Sequence, residues 1–482
     1  MNNLEYRQFD GLGLASLIRD REVTADELLD AALEQVRLCE PEVRAISLPL
    51  FERAREAIRE GLPAGPFSGI PYMLKDSVSE LAGAPLSGHS PLLHGITSAA
   101  DQTLIRRCKQ AGLVIFGKTA APELSLSFTT EPEVGPAATN PWDITRSPGG
   151  SSGGAAAAVA AGYLPIAHAT DGAGSLRVPA AHCGLFGFKP SRMLNPLGPA
   201  NAEGLAGMAT AHCISRSVRD SAMLLDLTHG ADVGDPYYQP PTRRRFFNAI
   251  RRDPAPLRIA YSTHSPLGLP IDPACESGTV AAARLCEQLG HHVEESTPAY
   301  DIEQLQWAWR VIGGVGALAA VHLAAQIRGL ATPLDLLEPV NRQWMEEAQR
   351  HSGLIYLRAV QQLHKISRQL GAFFQRYDVL LTPVTAQPAP LLGKLSGIND
   401  LDDFYTAFWR HAPFTAVFNA SGCPAMSLPL GQTLEGLPLG VQAAAALGQD
   451  EMLFALAGQL ERARPWFSRV PAWTTHSPLK KI

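Results

Sequence analysis

The sequence predicts a layered α/β protein, on three observations. Apolar runs of strand length alternate with helical patterns through most of its 482 residues. Its composition, 46% hydrophobic and 18% charged, is that of an ordinary globular chain. Glycine- and proline-rich turns separate the runs, and no repeat of fixed period appears.

The elements follow in order. "VTADELLDAALEQVRL" (23–38) opens with a capping box, Thr24 to Glu27, and continues with apolar residues at helical spacing. "FERAREAIREG" (51–61) reads as a helix stopped by glycine. "GIPYMLKD" (69–76) reads as a short apolar strand ending in Lys75 and Asp76. "TLIRRCKQAG" (103–112) is an amphipathic helix feeding the strand "LVIFG" (113–117), with Gly117 as the turn after it. "SPGGSSGGAAAAVAAG" (147–162) is a Gly–Ser loop running into an Ala-rich helix, followed by the strand-like "YLPIAHAT" (163–170) and a second Gly-rich loop, "DGAGS" (171–175).

The Pro- and Arg-rich stretch 232–256 reads as a connection. It leads to a strand (257–262), a helix near 273–289 and a strand at "HHVEES". "YDVLLTPVTAQPAP" (377–390) reads as a buried strand breaking into a loop. The uncharged runs 153–170 and 311–327 are short for a membrane span and interrupted by His or Gln, so buried core helices are expected there.

The net charge is −5, and the longest basic runs, "TRRRFF" (242–247) and "IRR" (250–252), read as solvated surface. A nucleic-acid partner is therefore not expected. Seven scattered cysteines without a C-x-x-C argue against a disulfide framework and a structural zinc. The histidines show no metal-ligand spacing, and the doublet His291–His292 reads as a surface or helix-end feature. The polar start carries no secretory signal, so a cytoplasmic location is expected.

"GLVIFGKT" (112–119) fits the P-loop pattern to the letter. A P-loop needs a strand before its first glycine and flexible residues between its glycines. Here a helix comes first and the intervening residues are Leu, Val, Ile and Phe, which make a buried strand.

Three stretches hold residues able to do chemistry. A lysine ending an apolar strand, Lys75, can be desolvated into a neutral base; alternatively it is a surface lysine paired with Asp76. "GGSSGG" fits the nucleophile elbow G-x-S-x-G at Ser151 or Ser152, although no strand precedes it. "TDGAGSLRVPA" (170–180) places Ser175 after Gly172, Ala173 and Gly174, small residues whose amides can converge on an oxyanion. Otherwise that stretch is a plain turn, with Asp171 and Arg177 a local ion pair.

Together these stretches resemble the amidase-signature hydrolases. The resemblance is carried by "GIPYMLKD" (69–76), "FGKTAAPEL" (116–124), "TNPWDITRSPGGSSGGAAAAVAAG" (139–162), "TDGAGSLRVPAAHCGLFGFKPS" (170–191) and "FNASGCPAMSLPLG…GLPLGVQ" (418–442). It implies one α/β/α domain around a large mixed sheet, spanning 1–482. It implies Ser175 as nucleophile, Ser151 as a bridging serine behind a cis Gly150–Ser151 bond, and Lys75 as base. The amides of Gly172, Ala173, Gly174 and Ser175 would form the oxyanion hole, supported by Ser152, Asp171 and Arg177. The implied partner is a small-molecule amide; no cofactor, metal or membrane is called for, and a homodimer is left open.

The family's usual nucleophile loop has two glycines before the serine, where this chain has Ala173–Gly174. With "SLPLFERAR" (47–55) and "FTTEPEVGPAATNPWD" (128–143), that variant resembles the branch acting on the cyclic dimer of 6-aminohexanoate. The stretch 230–350 matches the branch least. Two rival readings share the scaffold: a glutaminase subunit of a transamidating complex, and a non-catalytic binding protein.

Overall fold

The computed structural model describes residues 1–77, 79–237 and 245–475. Eight strands form one mixed sheet in the order β4-β6-β5-β10-β11-β9-β7-β8, and three form a small sheet in the order β1-β3-β2. In chain order they are β1 (Ile46–Pro49), β2 (Pro71–Lys75), β3 (Val114–Thr119), β4 (Ile166–Asp171), β5 (Phe186–Lys189), β6 (Thr210–Ser215), β7 (Arg258–Tyr261), β8 (His292–Glu295), β9 (Val379–Pro383), β10 (Ala425–Gln432) and β11 (Pro438–Ala445). In the large sheet β7 runs parallel to β8 and β9, and the remaining pairs are antiparallel.

Alternation along the central strands creates the layers. Successive strand residues face opposite sides. Met426, Leu428, Val441, Ala443, Val379, Leu381 and Ile259 enter one core, shared with the helices Val218–Thr228, Pro273–Gln288 and Asp450–Ala463. Their neighbours Ala425, Ala444, Leu380 and Ala260 enter the opposite core, under the helices Ile302–Arg328, Gly353–Phe373 and Leu401–His411. The expected α/β/α architecture around a mixed sheet is present. A third core, around the helices Ala25–Val43 and Gly153–Ala161, joins the small sheet to β4.

Most elements lie where the sequence puts them. Thr24 and Glu27 form the capping box of the helix Ala25–Val43. Gly61 caps Phe51–Glu60. The helix Gly153–Ala161 is buried on every side, as its lack of polar residues requires.

Three expectations are corrected. Gly117 is not a turn: it lies inside β3, which continues through Lys118 and Thr119. A side chain there would come within about 3.1–3.2 Å of Leu48 O and Met73 Cε, so glycine serves the close approach of flanking strands. His291 is buried rather than on the surface; its Nδ1 accepts from Leu257 N and its Nε2 meets Gln459. The run 311–327 is only half a core helix. Val311, Ile312 and Val321 are buried, but Ala319, Ala320, Leu323 and Ile327 face outward. This helix, Ile302–Arg328, is long and apolar enough to cross a membrane by length and composition alone. Part of the predicted connection, 238–244, lies outside the described residues; Arg251 and Arg252 are exposed as expected.

Candidate active site

Three chain segments meet where β2 and β4 end. Lys75 is the last residue of β2, Asp171 the last of β4, and the loop 147–152 leads into the helix Gly153–Ala161. The two serine loops are joined directly, because Ser152 N donates to Ser175 O at 3.1 Å. The Ser152 hydroxyl spans from its own loop to the Thr170 backbone, accepting from the N–H at 3.3 Å and donating to the carbonyl at 3.2 Å.

The glycines of the first loop permit close packing. A Cβ on Gly154 would lie 2.4 Å from Ala120 N and 2.6 Å from Ala120 O, so only glycine lets the helix meet the end of β3. "GGSSGG" is thus a tightly packed scaffold for its serines rather than a linker.

Lys75 is fully buried, and its Nζ lies 2.6 Å from Ser151 Oγ and 2.8 Å from Thr170 Oγ1. Burial pulls its amine down from the ordinary lysine range to about 7, against the opposing pull of Asp171. The alternative pairing of Lys75 with Asp76 does not occur. Asp76 faces Lys118 instead, at 3.6 Å, and the Lys118 amine donates to Pro85 O. That buried pair is what the P-loop-like lysine does.

The Gly150–Ser151 bond is cis. Ser151 and Ser152 are sealed, whereas Ser175 keeps 8% of its surface exposed. Its hydroxyl has no hydrogen-bond partner among the described residues. The N–H groups of Gly172, Ala173, Gly174 and Ser175 likewise donate to no described acceptor. Backbone N–H groups are nearly always paired where they are buried, and a row of four unpaired donors is able to hold an anion.

An ionic brace holds this loop. Arg177 grips Asp171 through two bonds of 2.9 Å, both side chains being fully buried. Its remaining N–H groups donate to Gln442 Oε1 at 2.7 Å, Asn419 Oδ1 at 2.7 Å and Thr415 O at 2.9 Å. Burial alone would raise Asp171; the charge and hydrogen bonds of Arg177, with Lys189 and Asn419, more than offset it and hold the carboxyl below its ordinary value. Asn419 also donates to Asp171 O, and Thr415 Oγ1 donates to Ala173 O at 2.6 Å. Beyond the loop stand apolar groups: Trp309 Nε1 donates to Gly172 O at 3.4 Å, and a Cβ on Gly172 would lie 3.0 Å from Leu205.

The structure therefore gathers Lys75, Ser151, Ser152, Asp171, Gly172, Ala173, Gly174, Ser175 and Arg177 around one point. Thr170, Thr415, Asn419 and Gln442 join them, although the sequence reading gave them no role. Among the described residues, no group of three or more His, Cys, Asp or Glu side chains is placed to hold a metal ion. A separate cavity of about 370 Å³, walled by Glu123, Glu131, Glu133 and Glu338, contains none of these residues.

Residues 27–454 match the family model described as Amidase. The chain is 35% identical to the 6-aminohexanoate-cyclic-dimer hydrolase of Pseudomonas sp. (strain NK87), over 98% of each chain. It is equally similar, at 35% and the same coverage, to the enzyme of that name from Paenarthrobacter ureafaciens. A solved 6-aminohexanoate cyclic dimer hydrolase complexed with substrate superimposes with a TM-score of 0.93 at 34% identity, covering 97% of this chain and 99% of that one. The chain belongs to the amidase family, and it is a hydrolase of amide bonds.

Proposed function

We propose that this amidase works through Ser175, Ser151 and Lys75, and that its substrate is a small or cyclic amide of the 6-aminohexanoate-cyclic-dimer kind. The observation that carries the reading is a buried amine, near neutral-pH titration, 2.6 Å from the hydroxyl of Ser151. A serine hydroxyl is a weak nucleophile until a base takes its proton.

In this mechanism Ser175 Oγ attacks the amide carbon, and its proton passes to Ser151 Oγ as the Ser151 proton passes to Lys75 Nζ. The carbonyl electrons move onto oxygen, and that oxyanion accepts from the N–H groups of residues 172–175. As the tetrahedral intermediate collapses, the C–N bond breaks and the proton returns through Ser151 to the leaving amine. The acyl ester left on Ser175 is released when water attacks with its proton following the same route. Each oxyanion donor is worth about 3–4 kcal/mol of barrier.

The test is amine release from a panel: the 6-aminohexanoate cyclic dimer, its linear dimer, simple aliphatic and aryl amides, and glutamine. Ser175→Ala is run beside the wild type. Turnover of the cyclic dimer, lost in the variant, is the expected result. Turnover of other amides alone, lost in the variant, keeps the triad and discards the substrate; glutamine alone favours the transamidating alternative. A Ser175→Ala protein with wild-type turnover overturns the mechanism.

A further inference from the structure

Lys75 is held at both ends by two side chains of one strand. In β4, His168 and Thr170 are two residues apart and so share a face. Thr170 Oγ1 takes the lysine amine, and His168 Nδ1 accepts from the Lys75 backbone N–H at 3.3 Å. That N–H has no partner within its own sheet. β2 is the outermost strand of β1-β3-β2, and the next residue, Asp76, sends its N–H to Thr119 O of β3. Alternate residues of a strand direct their backbone groups to opposite sides, so Lys75 N–H faces away from β3.

His168 is fully buried, and its Nε2 has no partner among the described residues. An imidazole that accepts through Nδ1 carries its proton on Nε2, here an orphaned donor. Burying an unpaired donor is unfavourable, and a leucine would fill similar space without that cost. Among the described residues, the one hydrogen bond that the His168 side chain makes goes to the lysine. The site's two sheets thus meet through this contact, since β2 supplies Lys75 and β4 supplies His168, Thr170 and the loop bearing Ser175.

We propose that His168 is a positioning residue for the amide-hydrolysis reaction: through Nδ1 it fixes the Lys75 main chain, and so sets the lysine amine against Ser151. The proposal rests on the reading of Lys75 as the base. Burial, with Lys75, His212 and Lys118 nearby, lowers the imidazole to about 3, so it remains neutral and able to accept throughout the neutral range.

The test uses a fluorophosphonate, which phosphonylates an activated serine with loss of fluoride, so it does not depend on knowing the substrate. Saturation kinetics separate the binding constant KI from the maximal rate kinact, with labelling of Ser175 checked by mass. Asn can place its amide oxygen where Nδ1 sits, whereas Gln reaches toward Nε2; Leu offers no acceptor. His168→Asn is expected to keep kinact within about threefold of wild type, with His168→Gln and His168→Leu at least tenfold lower and KI unchanged. A role in filling volume would favour Gln and Leu over Asn, so that ranking overturns the proposal. So does wild-type kinact in His168→Leu, or a loss confined to KI. Lys75→Ala is run in parallel. If it labels at the wild-type rate, the base assignment fails; if it is slow while every His168 variant is normal, only the present inference fails. Should His168→Leu not fold, the Asn-against-Gln order still decides.

Discussion

Thr415 Oγ1 donates to the carbonyl of Ala173 at 2.6 Å, and a Cβ on Gly174 would lie 2.5 Å from Thr415 Oγ1. The Ala173–Gly174 peptide is planar, so fixing its carbonyl also fixes the opposite Gly174 N–H. Thr415 therefore aims one of the four free amides. Thr415→Val keeps the shape and removes the hydroxyl; kcat should fall about tenfold or more with KM little changed. Gly174→Ala should be harsher, because Gly174 has φ +141° and no room for a methyl. Steady-state kinetics beside a thermal melt of each variant check both.

The Lys75 amine, drawn down to about 7 by burial, gives two pH effects of known sign. A base must be neutral to act, so kcat/KM should fall below about pH 7 with a slope of one proton. The folded-state pKa is lower than the unfolded one. Between about 7 and the ordinary lysine value of 10.5, the unfolded chain therefore binds more protons and stability rises with pH. Below pH 7 the full cost of burying the amine is present. Denaturant midpoints of wild type against Lys75→Met over pH 6 to 10 should show wild type gaining on the variant as pH rises. A flat difference would place the titration elsewhere.

The sequence made the loops legible and the brace illegible, for a physical reason. Lys75, Ser151 and Ser175 stand in short contiguous motifs whose glycines announce close packing. Asn419 and Gln442 are 242 and 265 residues from Arg177, and their roles exist only once β10 and β11 have entered the sheet beside β5. Gly117 misled because glycine marks either a turn or a crowded strand, and only the neighbours Leu48 and Met73 decide which. His291 misled because a histidine doublet after a helix suggests its terminus; the Leu257 and Gln459 partners come from remote elements. His168 lay within a quoted strand but drew no attention, since a lone histidine in an apolar run is ordinarily a core residue.

Arg177 and Asp171 test how much stability the brace supplies. Both are fully buried, so removing one leaves the other charged and without its main partner. Arg177→Met should cost about 3–5 kcal/mol, the usual penalty for breaking a buried pair. Arg177→Lys should not rescue it, because one ammonium cannot reproduce a guanidinium bound to Asp171, Asn419, Gln442 and Thr415 together. Soluble yield and urea midpoints decide this; a Lys variant as stable as wild type would contradict the account.

The last prediction concerns the long helix Ile302–Arg328. Trp309, on the helix Ile302–Arg328, donates to Gly172 O at 3.4 Å, and the Gly172 carbonyl shares a peptide plane with Ala173 N–H. The indole ring packs against Trp344 and Phe408 whatever its N–H does. Trp309→Phe should thus retain most of the packing while freeing that peptide plane to rotate. On the proposed mechanism kcat should drop several-fold, and stability should fall by about 1 kcal/mol, the usual net worth of one hydrogen bond. Trp309→Leu should lose the aromatic packing as well, with a clearly larger fall in melting temperature. If Phe and Leu reduce kcat equally while Leu destabilises clearly more, the indole N–H is what couples this helix to the oxyanion loop. If Phe is indistinguishable from wild type, the 3.4 Å contact has no part in catalysis.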